Sequence, residues 1–194
     1  GKWIWNTGYS YDGAIPRTVP NSATVTLGDE DSSLLLPLTS QDGYVKPGKI
    51  RVKATFVPTV SGYSGIGFWP ALVQNNVSWT GFTGIRLDMF RKTLLVYTNG
   101  VPQGNTVSFD FVGSETTYAV AYCVDARDGK GTISDVVVNG RLIGGLSSTA
   151  FTSTATSYAG LMTGGNTPEQ SSRASFSSFQ VDEILPVYTM LLVR

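Results

Sequence analysis

The sequence predicts an all-β chain folded as an antiparallel two-sheet sandwich, and three observations carry that prediction. Short runs rich in Val, Ile, Thr, Tyr and Phe recur along the chain, separated by clusters of Gly, Asn, Asp, Ser and Pro. Helical patterning is almost absent. Two Asn-Gly dipeptides, Asn99-Gly100 and Asn139-Gly140, each sit between strand-like runs, and Asn-Gly readily takes the positive φ angles that a tight type I′ hairpin requires.

The elements follow in order. Trp3-Ile4-Trp5, with Tyr9 and Tyr11, opens the chain with aromatic residues. These serve either as a platform for stacking on a ligand or as an edge strand whose rings cover the rim of the sandwich. Strands are expected at 23–27 and 33–38, then at 49–57, 66–73, 83–90 and 93–98, where β-branched and aromatic residues concentrate. The first Asn-Gly turn leads to 107–111 and 117–124, and Asp128-Gly129-Lys130-Gly131 gives a longer reversal before 132–138. The second Asn-Gly turn joins that strand to 141–143. Residues 146–157, rich in Ser, Thr and Ala, read as a long surface loop. Strands at 158–162 and 174–183 close the set, and 185–194, apolar and broken by Pro186, is an edge strand or a partner contact. With no repeat and no boundary in composition, residues 1–194 are expected to form one domain.

Composition removes several function classes. Fourteen Lys plus Arg balance fourteen Asp plus Glu with no run of like charge, so the basic footprint that nucleic acid demands is missing. There is no histidine, which removes Ser-His-Asp and Cys-His catalysis and the commonest zinc ligand. Cys123, the one cysteine, has no partner for an internal disulfide and reads as a small buried hydrophobe. No apolar run approaches the ~18 residues needed to cross a bilayer, so membrane insertion is not expected. Asp29-Glu30-Asp31 after Gly28 offers hard oxygen ligands for calcium or is a solvated turn. The cluster lacks alternating ligand spacing, and no cofactor is expected.

The segments that carry functional information are Gly67-Phe68-Trp69-Pro70-Ala71-Leu72 and Gly84-Ile85-Arg86-Leu87-Asp88-Met89-Phe90. With Thr117-Tyr118-Ala119-Val120-Ala121-Tyr122 and the strand-turn-strand around Asn139-Gly140, their order from Gly48 onward resembles the concanavalin A-like lectin and glucanase superfamily. The nearest resemblance is to laminarinase-like glycoside hydrolases. It implies a jelly-roll β-sandwich. In those hydrolases the strand after Trp-Pro-Ala reads Gly-Glu-Ile-Asp-Ile-Met-Glu, with one Glu as nucleophile and the other as general acid/base. Retaining hydrolysis needs two carboxyl groups about 5–5.5 Å apart. Aligned on Gly84 and Met89, this chain has Ile85 at the nucleophile, Leu87 at the Asp and Phe90 at the acid/base. Alkyl and phenyl groups can neither attack an anomeric carbon nor protonate a leaving oxygen.

Strand parity gives a second view of the same residues, because alternate side chains face opposite sides of a sheet. Ile85, Leu87 and Met89 form an apolar set for the core, which sends Arg86, Asp88 and Phe90 to the other face, expected to be a concave cleft. The family motif instead puts its acids on the cleft side at positions 85 and 87, and a register slip or a moved bulge would reconcile the two. If parity holds, Arg86 and Asp88 either hydrogen-bond a sugar or form an ion pair along their own strand, with Trp69 as a stacking surface. Residues 75–82 join the two segments and add Asn76 and Trp79 as sugar contacts, with Phe82 packing at the rim.

The sequence-based expectation is therefore non-catalytic binding of a polysaccharide or glycan at Trp69, Asn76, Trp79, Arg86 and Asp88, outside the cell or at a cell or virion surface. Two alternatives stay open at this level. One is a divergent hydrolase or polysaccharide lyase using Asp88 with another acid or Tyr. The other is a jelly-roll used for assembly or attachment.

Overall fold

The computed structural model describes residues 3–7, 17–19, 25–27, 32–37, 49–58, 62–70, 81–108, 117–125, 130–147, 151–152, 158–164 and 174–184. The strands along them are β1 (Trp3–Thr7), β2 (Arg17–Val19), β3 (Val25–Leu27), β4 (Ser32–Pro37), β5 (Lys49–Pro58), β6 (Tyr63–Trp69), β7 (Thr83–Asp88) and β8 (Thr93–Thr98). They continue as β9 (Val101–Ser108), β10 (Tyr118–Asp125), β11 (Lys130–Val138), β12 (Arg141–Leu142), β13 (Phe151–Thr152), β14 (Tyr158–Gly164) and β15 (Ala174–Ile184). There is no helix among the described residues.

The strands form two sheets. One has eight strands in the order β2-β1-β4-β14-β6-β7-β8-β9; the other has seven, in the order β12-β11-β10-β5-β15-β3 with β13 on β11. The pairings are antiparallel. The expected all-β two-sheet sandwich is therefore the observed architecture.

Alternation along the strands builds the core. On β5, Val52, Ala54 and Phe56 are buried while Lys49, Arg51 and Lys53 lie on the opposite side; on β10, Tyr118, Val120, Tyr122 and Val124 point inward. Ile66, Phe68, Ile85, Leu87, Leu94, Val96, Ala159 and Leu161 of the eight-stranded sheet meet them in one apolar cluster. Each such side chain contributes about 1.5–3 kcal/mol on leaving water.

A polar bond crosses this core. The Tyr122 hydroxyl donates to the Ile66 carbonyl oxygen at 2.9 Å, tying the sheets together, and burial pushes the phenol far above its ordinary titration range, which keeps it a donor. Tyr122→Phe is expected to cost about 1 kcal/mol in denaturant unfolding, the net worth of one such bond, with the fold retained.

The outer face of the seven-stranded sheet is polar. Lys53 Nζ lies 2.8 Å from Asp182 Oδ2, and Gln180 Nε2 donates to Asp182 Oδ1 at 2.6 Å. These contacts, led by Lys53, hold the Asp182 carboxyl below its ordinary range. Cys123 is buried, as expected.

Both Asn-Gly turns are two-residue hairpin loops with φ positive at each residue: 49° and 81° at Asn99 and Gly100, 49° and 79° at Asn139 and Gly140. Other boundaries differ from the sequence pattern. β6 starts at Tyr63, before the expected start at 66, because Gly65 lies inside the strand. β7 stops at Asp88, leaving Met89 and Phe90 in the turn. β9 begins directly after the Asn-Gly turn; its Pro102 is tolerated because β9 is an edge strand. β1 is not an edge: it pairs with β2 on one side and β4 on the other. Residues 185–194 and Asp29-Glu30-Asp31 lie outside the described residues.

Candidate functional site

β7 sits between β6 and β8 in unbroken register: Tyr63 opposite Asp88, Gly65 opposite Arg86 and Gly67 opposite Gly84 on one side, Leu95 opposite Arg86 and Thr93 opposite Asp88 on the other. No slip or bulge interrupts it. Parity therefore decides the conflict in the sequence: Ile85 and Leu87 are fully buried between the sheets, and Met89 joins them. Arg86 and Asp88 occupy the face turned away from the seven-stranded sheet. Positions aligned with the hydrolase nucleophile and Asp thus point into the core, where no substrate reaches. Phe90 does not share the face of Arg86 and Asp88 as a strand residue; it stands in the β7–β8 turn, 62% exposed.

Arg86 and Asp88 form one enclosed cluster with two tyrosines. Arg86 Nη2 donates to Asp88 Oδ2 at 3.1 Å, and Arg86 Nη1 donates to Tyr97 Oη at 2.9 Å. The guanidinium carbon lies 4.3 Å from the centre of the Tyr63 ring, a cation–π distance. Asp88 Oδ1 accepts the Arg91 backbone N–H at 2.9 Å, which fixes the following turn. The Arg86 side chain is 10% exposed and that of Asp88 1%. The strand-internal ion pair is therefore real, but it is desolvated, so breaking it by removing one partner is costly.

Beside this cluster the same face carries an aromatic stack. Ring centres of Trp69 and Phe82 are 5.0 Å apart, those of Phe82 and Tyr97 5.9 Å, and Met162 fills the space next to them with Leu95 and Tyr158 partly buried at its margin. Glycines make room for it. A Cβ at Gly67 would come within 2.7 Å of the Phe82 ring and 2.2 Å of the Thr83 carbonyl oxygen, and one at Gly84 within 2.2 Å of the Ile66 carbonyl oxygen.

Trp69 is thereby corrected. The indole expected as an open stacking surface is 0% exposed; it backs Phe82 from within the protein, because the glycine floor lets Phe82 lie down against it. Phe82 likewise sits at the centre of the stack rather than at the rim. Asn76 and Trp79 lie outside the described residues. Tyr63, Tyr97 and Tyr158 were not selected from the sequence. Parity from the Asn99-Gly100 turn and through Gly65 and Gly67 puts Tyr97 and Tyr63 on the Arg86 side; the expected strand began only at 66, which left Tyr63 outside it.

The chemistry available is narrow. Asp88 is the only acidic residue in the eight strands of this sheet. No group of three or more His, Cys, Asp or Glu that would hold a metal occurs among the described residues.

No protein-family model matches the chain, and no curated protein sequence matches it. Solved structures do. Basic winged bean lectin with Tn-antigen is similar to this chain with a TM-score of 0.61 at 13% identity, over 95% of this chain and 93% of the lectin. The lectin UEA-II complexed with galactose gives 0.60 at 13% identity over 94% and 93%. Arcelin-5, a lectin-like defense protein from Phaseolus vulgaris, gives 0.59 at 11% identity over 95% and 93%. At these identities the likeness shows the fold: this chain has the lectin-type jelly-roll sandwich.

Proposed function

We propose that this protein binds a polysaccharide or glycan without cleaving it, through the outer face of its eight-stranded sheet and the segment joining β6 to β7, outside the cell or at a cell or virion surface. The observation that carries this reading is the acid inventory of the sheet. Its single carboxylate, Asp88, already accepts bonds from Arg86 and from the turn, so the strand that resembles a glucanase strand lacks the paired acids of retaining hydrolysis. Two solved lectins of this fold hold galactose and Tn-antigen respectively, which supports the binding half of the proposal.

Roles divide between the joining segment and the sheet. Asn76 and Trp79 make the direct contacts, the amide donating and accepting while the indole covers a pyranose face. Arg86 offers its exposed edge, Asp88 and Tyr97 hold that guanidinium in place, and Trp69 supports the floor. Titration against a glycan array followed by calorimetry tests this. Trp79→Ala and Asn76→Ala should each weaken binding about tenfold, or about 1.4 kcal/mol, and Trp69→Ala should lower stability first. No bound saccharide at millimolar concentration, or unchanged affinity in both segment variants, overturns the proposal. Release of reducing ends or unsaturated products would also overturn it and favour catalysis, since Tyr97 and Arg86 are hydrogen-bonded partners.

A further inference from the structure

The β7–β8 turn is the feature that the binding face does not absorb. Phe90 is 62% exposed there, among the most exposed large apolar side chains described, and Arg91 and Lys92 beside it are exposed too. The turn is held rather than loose: the Met89 N–H donates to the Gly62 carbonyl oxygen at 2.8 Å, and the Arg91 N–H to Asp88 Oδ1 at 2.9 Å. Lys92 adopts a positive φ of 53°. Neither Arg91 nor Lys92 is ion-paired among the described residues, and the nearest carboxylate in sequence, Asp88, is buried against Arg86. The turn thus presents one phenyl ring and two cations without an ion-pair partner among the described residues, on a chain with no net charge.

We propose that Phe90, Arg91 and Lys92 form a subsite for an acidic glycan, one bearing uronate or sulfate groups, at the end of the binding face. This rests on the glycan-binding reading and names the class of its ligand. A phenyl ring stacks on a sugar face, a guanidinium takes a carboxylate or sulfate in two parallel bonds, and an ammonium adds a point charge. Continuity selects the glycan: the turn follows directly from the strand carrying Arg86 and Asp88, and Asp88 bonds to both. A bilayer is a poorer fit, because one ring and two cations fall short of the apolar area or second anchor that stable membrane attachment takes.

The test uses the full chain with oligogalacturonate as the acidic probe and laminarin oligosaccharides as the neutral one. Oligogalacturonate should bind more tightly, and its advantage should shrink as salt rises. Arg91→Ala/Lys92→Ala should weaken oligogalacturonate binding about tenfold to a hundredfold and flatten its salt dependence, at an unchanged melting temperature. Phe90→Ala should weaken it about fivefold. Equal affinity for both probes, or wild-type oligogalacturonate affinity in the double variant, overturns the subsite while the glycan-binding reading stands. Binding of neither probe nor any other saccharide overturns both. Binding to phosphatidylserine vesicles without oligogalacturonate binding overturns the subsite in favour of a membrane partner.

Discussion

Gly84→Ala is expected to destabilise the protein by about 3 kcal/mol, the upper end of the cost of overpacking, or to prevent folding. The added Cβ would sit 2.2 Å from the Ile66 carbonyl oxygen and 2.7 Å from the Gly67 Cα. Both are backbone atoms of the neighbouring strand, so no side-chain rotation relieves the contact; β6 and β7 must separate. Separation would strip the floor from beneath Phe82 and disturb the Ile66–Ile85 pairing in the core. Gly67→Ala should behave alike, since its Cβ would meet the Thr83 carbonyl oxygen at 2.2 Å. The control is Gly104→Ala on the edge strand β9, whose Cβ would meet nothing within 4 Å; it should change stability by about 0.5 kcal/mol or less. Denaturant unfolding checks all three, and a Gly84→Ala protein as stable as Gly104→Ala would refute the close approach of the two strands.

Arg86→Met is expected to cost about 3–5 kcal/mol, because it leaves a buried carboxylate without its cation. The Tyr97 hydroxyl loses a donor and the Tyr63 ring loses the charge above it in the same step. Asp88→Leu should also be costly, with the further loss of the bond that fixes the Arg91 turn. The double variant should be less damaged than the two single losses combined, since an apolar pair of similar volume removes the desolvation penalty of both ions. A double-mutant cycle should therefore return a coupling of about 2–3 kcal/mol between the two sites. Additive losses, or an Arg86→Met cost below about 1 kcal/mol, would show that the pair is solvated and only marginally held.

Parity along 83–89 was legible because Ile85, Leu87 and Met89 are apolar in strict alternation, and burial of one sheet face enforces that register. The hairpins at Asn99-Gly100 and Asn139-Gly140 were legible because few residue pairs accept two successive positive φ angles. The start of β6 was hidden, since glycine ordinarily weakens a strand and here is required by a neighbouring backbone. β9 was obscured by Gly104 and by Pro102, the proline being tolerated because β9 is an edge strand. For the site, Arg86 and Asp88 share one face and the ion pair along their strand was one of two legible readings, while its enclosure was not predictable from two residues on one strand.

By itself the sequence determined the two-sheet architecture, the inward and outward faces of β7, and the absence of a paired-acid motif on the strand after Trp-Pro-Ala. Those follow from local alternation, turn chemistry and residue identity. Only the tertiary structure decided that Trp69 is enclosed, that Phe82 lies across Gly67, and that Tyr63 and Tyr97 close around Arg86. These depend on which distant segments pair and how closely their backbones approach, and cross-strand distance is not encoded in the order of residues along any one strand.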